Sequence, residues 1–115
     1  MAPKPEMRLA GPVGRVLLTG GNLRNNHIYL TSMLDLIPAD SIGGSNKSTA
    51  AHRTLRVSFE PGTTVDTDVD GSKNILRARG AVRDFFARSG AREGDTVLIE
   101  RTGPYALTIS LDRPV

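Results

Sequence analysis

The chain of 115 residues contains no cysteine and no tryptophan, and its other scarce side chains are two His, two Tyr and three Phe. Without cysteine there is no disulfide, no thiolate metal site and no thiol nucleophile, which fits a reducing cytoplasm. No stretch approaches the roughly 18 consecutive apolar residues of a membrane span. The opening MAPKPEMRLAGPVG has no apolar core of signal-peptide kind and is rich in Pro and Gly. Residues 1–14 are therefore expected to be a flexible arm and residues 15–115 a single domain, long enough to bury one core.

The scarcity extends to catalytic groups. His27 and His52 stand far apart without a metal-ligand spacing, and no G-x-S-x-G nucleophile elbow occurs. The closest carboxylates are Asp66, Asp68 and Asp70, and the arginines beside them would keep these ionised and poor as acids. The run VDTDVDG that holds them opens like a calcium loop. Counting from Asp66, however, the position that needs a bidentate Glu is Arg77, and the preceding TTV is β-branched rather than helical. GGSNKST at 43–49 resembles a phosphate loop only superficially, because it lacks the second Gly before Lys and no helix pattern follows. It reads as a solvated loop. No catalytic residue, metal or cofactor is expected, and binding is the favoured class of function.

Charge is plentiful and unevenly placed. The net charge is +3. Lys73, Arg77, Arg79, Arg83, Arg88 and Arg92 follow one another with only Asp84 between them. A GC-rich codon bias would account for the number of arginines but not for this clustering. The guanidinium fork suits phosphates and guanine edges.

Periodicity supplies the scaffold. Arg15–Thr19 is a short apolar run stopped by Gly20-Gly21, and His27–Thr31 alternates with Ile28 and Leu30 on one face. Ser32 could cap a short helix through Met33, Leu34 and Ile37. Arg53–Glu60 alternates with Leu55, Val57 and Phe59 inward, and Pro61-Gly62 turns into a strand at Thr63–Thr67. A further strand is expected at Asn74–Ala78 after the Asp70-Gly71 connection. Gly80–Ser89 is the clearest helix, with Val82, Phe85 and Phe86 on one face and Gly90 to end it. Thr96–Arg101 and Tyr105–Leu111 form a hairpin. The sum is a mainly β (α+β) domain, an open barrel-like fold of about seven strands with two short helices at its ends.

Two polar stretches stand out on that scaffold, GGNLRNNH at 20–27 and DGSKNILRAR at 70–79. Asn and Arg are the side chains that make bidentate contacts to adenine and guanine edges. Along a strand Arg77 and Arg79 would share a face with Lys73. Two such arms, one near each end of the domain, favour duplex nucleic acid. The few aromatic residues, most at core positions, argue against stacked single strands.

The run GGNLRNNHIYLTSMLDLIPADSIGGSNK, the stretch TDVDGSKNILRARG and the segment FFARSGAREGDTVLIER together resemble the DNA-binding pseudobarrel superfamily. This superfamily includes plant B-three domains and the effector domains of EcoRII-like and BfiI-like restriction enzymes. The likeness extends from about Arg15 to Leu111, and the bacterial branch is the nearer. It implies a seven-stranded open pseudobarrel whose two arms grip the duplex and read bases in the major groove. By position, the first arm would be Asn22, Arg24, Asn25, Asn26 and His27, and the second Ser72, Lys73, Asn74, Arg77 and Arg79. Arg83, on the solvent face of the helix, would touch phosphate. The chain departs from the restriction enzymes in having no nuclease domain and no credible nuclease motif. The resemblance therefore implies a sequence-selective binder of double-stranded DNA in restriction, modification or regulation, alone or beside a nuclease or methyltransferase partner. The alternatives are a protein-interaction domain with a basic face and a nuclease subunit whose site is unrecognised.

Overall fold

A computed structural model describes residues 13–112. The expected N-terminal arm lies outside the described residues except for Val13 and Gly14, which already belong to a strand. Eight strands alternate with two α-helices: β1 Val13–Leu17, α1 Gly20–Asn25, β2 Ile42–Gly43, β3 Leu55–Glu60, β4 Thr64–Thr67, β5 Val69–Asp70, β6 Ile75–Leu76, α2 Arg79–Ser89, β7 Thr96–Gly103 and β8 Ala106–Leu111. Short 3-10 segments occupy Thr31–Leu36, Ala39–Ser41 and Lys47–Thr49. The architecture is mixed and mainly β, in two sheets and without a closed barrel.

The larger sheet has five strands in the order β1-β7-β8-β3-β4. All its pairs are antiparallel except β3 with β8, which run parallel in the register Val57↔Leu107 and Phe59↔Ile109. Alternation sets which side chains face the core. Leu55, Val57 and Phe59 are buried while Arg56 and Glu60 are exposed, as the period of two requires. The smaller sheet, β2-β5-β6, is built from strands of two residues, with β2 parallel to β5. The chain passes from one sheet to the other at Asp68, between β4 and β5. Alternation stops there, and Thr67, Asp68, Val69 and Asp70 are all buried in succession.

Helix α2 closes the core. Val82 and Phe85 are fully buried, and the Phe85 ring lies 5.6 Å from Phe59 of β3. Burying one such aromatic side chain is worth about 1.5–3 kcal/mol. Gly90 ends the helix at φ +67, a left-handed conformation that side chains with a Cβ rarely adopt. None of the helices among the described residues is long and apolar enough to cross a membrane.

Four local expectations are corrected. Gly20–Asn25, expected only as a polar arm after the first strand, is a helix, because Thr19 and Asn22 cap it reciprocally. His27–Thr31 is not a strand and pairs only through the bridge Tyr29↔Ile75, although Ile28 and Leu30 are both fully buried as their spacing indicated. The following 3-10 segment is flanked by Leu30, not capped by Ser32. The strand expected at Asn74–Ala78 shrinks to Ile75–Leu76, since Asn74 is left-handed at φ 60 and Arg79 already begins α2. With β2 and β5 added, the strand count is eight rather than seven.

Candidate functional site

The first polar stretch folds back on itself. Thr19 Oγ1 accepts from the Asn22 amide at 3.1 Å, and Asn22 Oδ1 accepts from the Thr19 amide at 2.9 Å. This capping box satisfies helix-end donors that would otherwise be orphaned, and it leaves Asn22 only 8% exposed. Asn25 Nδ2 donates to the Gly21 carbonyl one turn earlier, and Asn26 supplies the left-handed C-cap at φ 57. Arg24 is exposed, and its Nη1 and Glu93 Oε1 lie 3.0 and 3.5 Å from where a Cβ on Gly20 would stand. Asn22 and Asn26 are therefore helix caps, and the end of the Arg24 side chain lies over Gly20.

The second stretch forms the β5–β6 hairpin. Asp70 Oδ1 accepts from the Ser72 amide at 3.0 Å and from its hydroxyl at 2.6 Å, and the Asn74 amide returns to the Asp70 carbonyl at 2.7 Å. Such an Asx turn explains why Asp begins it and Asn, tolerant of positive φ, ends it. The Ser72 hydrogen bond lowers Asp70 below its ordinary carboxylate value, against the opposing effect of burial. The two stretches do not stand at opposite ends of the domain. The Leu30 amide donates to the Asn74 carbonyl at 2.7 Å and Tyr29 bridges Ile75, so they lie side by side.

Arg77 departs furthest from its expected place. Its Nε donates to Asp68 Oδ1 at 2.6 Å, and its Nη2 donates to Asp68 Oδ2 at 3.0 Å and to the Gly44 carbonyl at 2.7 Å. Burial alone would raise the Asp68 pKa, but the Arg77 hydrogen bonds and the Ala51 amide outweigh it and hold the carboxyl below its ordinary value. The pair is charged and almost dry, with side chains 19% and 5% exposed. Arg77 does not share a strand face with Arg79, and its fork is engaged within the protein.

Arg77 also lines a polar cleft of about 260 Å³. It is lined by Asp70, Lys73, Ile75, Arg77 and Arg79 and by Ser45, Asn46 and Lys47 of the loop after β2. The ion pairs among the described residues engage Arg15, Arg56, Arg77 and Arg88; Lys47, Lys73, Arg79 and Arg83 take part in none. Arg83 is exposed one turn beyond Arg79 on α2, so the two share a face. His27 is the first-stretch residue tied electrostatically to this cluster. Burial, then Arg79 and Lys73, lower its pKa, while Asp70 acts in the opposite sense. Its Nδ1 faces the Tyr29 hydroxyl at 3.2 Å and its buried Nε2 has no partner among the described residues.

The three aspartates that resemble a calcium loop turn to separate partners: Asp66 towards Arg56 at 3.6 Å, Asp68 to Arg77, and Asp70 to Ser72. Among the described residues no three His, Asp or Glu side chains gather into a metal-binding group. The sequence reading missed Ser45, Asn46 and Lys47. The Gly-Gly-Ser-Asn-Lys run was the available signal, but its place in the same cleft as Lys73 depends on the β2–β5 pairing.

No known sequence family matches the chain, and no curated protein does so at a significant level. In structure it is similar to the N-terminal domain of Helicobacter pylori LlaJI.R1, with a TM-score of 0.52 over 87% of this chain and 86% of that one. The identity is 11%, so the likeness is one of fold.

Proposed function

We propose that the protein is a double-stranded DNA-binding module of a restriction, modification or regulatory system, acting by recognition rather than cleavage. The observation that carries this reading is the gathering of Lys47, Lys73, Arg79 and Arg83 on and beside one cleft, with no ion pair engaging any of them among the described residues. Cations left without internal partners suit an external polyanion, and such contacts supply most of the affinity for a phosphate backbone. The fold likeness to a domain of a restriction-related protein supports the same class of partner. In this reading Lys73, Arg79 and Arg83 hold phosphates. Base selectivity comes from Ser72 at the exposed tip of the β5–β6 turn and from Asn25 on α1, with a nuclease or methyltransferase as a compatible partner. Asn22, Asn26 and Arg77 support the site from within. The protein works in the cytoplasm, where such duplexes are found.

The deciding experiment is selection of bound duplexes from a random pool, methylated and unmethylated, followed by titration of the selected duplex at several salt concentrations. Three to five phosphate contacts give log affinity falling against log salt with a slope of about −0.9 per contact. Enrichment of one sequence with such a slope supports the reading. Salt-insensitive binding, or binding only to an acidic protein, overturns it, and metal-dependent cleavage of plasmid overturns the non-enzymatic part.

A further inference from the structure

The loop between β2 and β3 is ordered in an unusual way for an exposed segment. Residues 45–50 are all exposed, so no buried apolar side chain anchors them. Ordering such a segment costs conformational entropy that apolar burial does not offset here. Polar bonds hold it instead. The Gly44 amide donates to the Thr49 carbonyl at 2.7 Å, the Ser48 hydroxyl to Asn46 Oδ1 at 2.6 Å, and the Asn46 amide to Thr49 Oγ1 at 3.3 Å.

Both ends of this closed loop are fastened to one ion pair, Asp68 with Arg77. Arg77 Nη2 donates to the Gly44 carbonyl at the entrance, and the Ala51 amide donates to Asp68 Oδ2 at 2.8 Å at the exit. The fit leaves no slack, because a Cβ on Gly43 would collide with the Ala51 amide and stand 2.7 Å from Asp68 Oδ2. Lys47 is thereby held in the lining of the cleft, together with Lys73 and Arg79.

We infer that the 44–50 loop is a second backbone-gripping element, in which Lys47 contacts a phosphodiester of the bound duplex, and that Asp68 and Arg77 are positioning residues that set it in place. The inference rests on the nucleic-acid reading above and adds to it the loop and the pair that holds it. A phosphodiester fits better than a base edge. Lys47 is a point charge without a planar fork. The fork of Arg77 is occupied by Asp68 and Gly44. Besides its cations the cleft is lined by Ser45, Asn46, Asp70 and Ile75, and no aromatic face is among them to stack a base.

The test uses the full chain with its selected duplex and a random duplex, titrated across salt, with melting temperature recorded for each variant. Lys47→Ala is expected to weaken both duplexes alike and to lower the salt slope by about one. Asp68→Asn removes a negative charge beside the cleft, and by charge alone it would tighten binding. It is expected instead to weaken both duplexes several-fold, because the loop loses its fastening. The double variant should bind no worse than Asp68→Asn alone, since Lys47 no longer contributes once the loop is released. Arg77→Lys keeps the charge but not the fork and should behave like Asp68→Asn. Should Asp68→Asn fail to fold, Arg77→Lys and the exposed Lys47→Ala decide the matter. A folded Lys47→Ala variant with an unchanged salt slope overturns the assignment, and so does tighter or wild-type binding by Asp68→Asn. A wild-type chain that binds no duplex at low salt overturns the function itself, and that result is distinct from a binding protein indifferent to Lys47.

Discussion

The Leu30 amide donates to the Asn74 carbonyl at 2.7 Å, so the segment following α1 is fastened to the turn between β5 and β6. Asn74 holds this bond from a left-handed conformation at φ 60. For most residues that region costs about 1–2 kcal/mol, whereas Gly and Asn enter it readily. Asn74→Ala should lower stability by about 1 kcal/mol in urea unfolding, and Asn74→Gly should stay within about 0.5 kcal/mol of the parent. Equal stability of the two variants would show that the backbone conformation there imposes no cost.

Thr19 and Asn22 are expected to behave as one unit. Removing either side chain of the cap, by Thr19→Ala or Asn22→Ala, should cost about 1 kcal/mol. The double variant should lose less than the sum, because each single change already breaks the box. Neither change should alter the ratio of selected to random duplex affinity. A relaxed base preference in a fully folded Asn22→Ala variant would return Asn22 to the reading surface.

Arg79 opens α2 with no acidic residue in the first turn and no side-chain cap from Ala78. A cation at this end opposes the helix dipole, and an anion there is worth about 0.3–1 kcal/mol. Arg79→Glu should therefore raise the melting temperature while sharply weakening duplex binding. Arg83→Ala, one turn on, should weaken all duplexes equally and lower the salt slope by about one with stability unchanged. Unimpaired binding by both variants would remove α2 from the interface.

The buried imidazole of His27 gives stability a pH dependence of defined sign. Burial, Arg79 and Lys73 lower its pKa below the ordinary value of about 6.5. Between the folded and unfolded values the unfolded chain binds more protons, so stability falls as pH falls. The loss should begin as pH drops through about 6.5 and level off below the folded value. Urea unfolding at successive pH values should show this in the parent and less of it in His27→Gln. A bound phosphate near Lys73 and Arg79 acts in the opposite sense, so duplex binding should tighten over the same interval. Identical pH profiles for parent and variant would mean that His27 titrates as it does in the unfolded chain.

Calcium should leave the melting temperature unchanged, because Asp66, Asp68 and Asp70 turn to Arg56, Arg77 and Ser72 respectively. A ligand present at a hundred times its dissociation constant adds about 2.7 kcal/mol. A rise of several degrees in millimolar calcium, absent in magnesium, would show that these carboxylates rearrange into a site.

Residue periodicity was enough to locate β3, α2 and the final hairpin. Leu55, Val57 and Phe59 repeat every second residue, and Val82, Phe85 and Phe86 fall on one helical face; all are buried. Each pattern is local, since strand and helix geometry alone decides which side chains share a face. The basic composition of 73–83 was equally plain. Helix α1 was harder to read. Gly20 and Gly21 are poor helix formers, and so short a helix is marginal alone. Its cap and the packing of Leu23 against the core support it in the folded protein.

The site depended on pairings between distant parts of the chain. Arg77 resembles a base reader in sequence, because a guanidinium on an exposed strand has its fork available. Only the fold brings Asp68 beneath it, at the point where the chain changes sheets, and sets Gly44 within 2.7 Å of it. Lys47 likewise looks like one more solvated loop lysine until β2 pairs with β5 and carries it to the cleft that Lys73 also lines. Charge and periodicity are properties of neighbouring residues and can be read along the chain. Which cations face solvent and which are consumed by buried partners follows from long-range packing, where desolvation makes a buried charge need a counter-charge or hydrogen bonds.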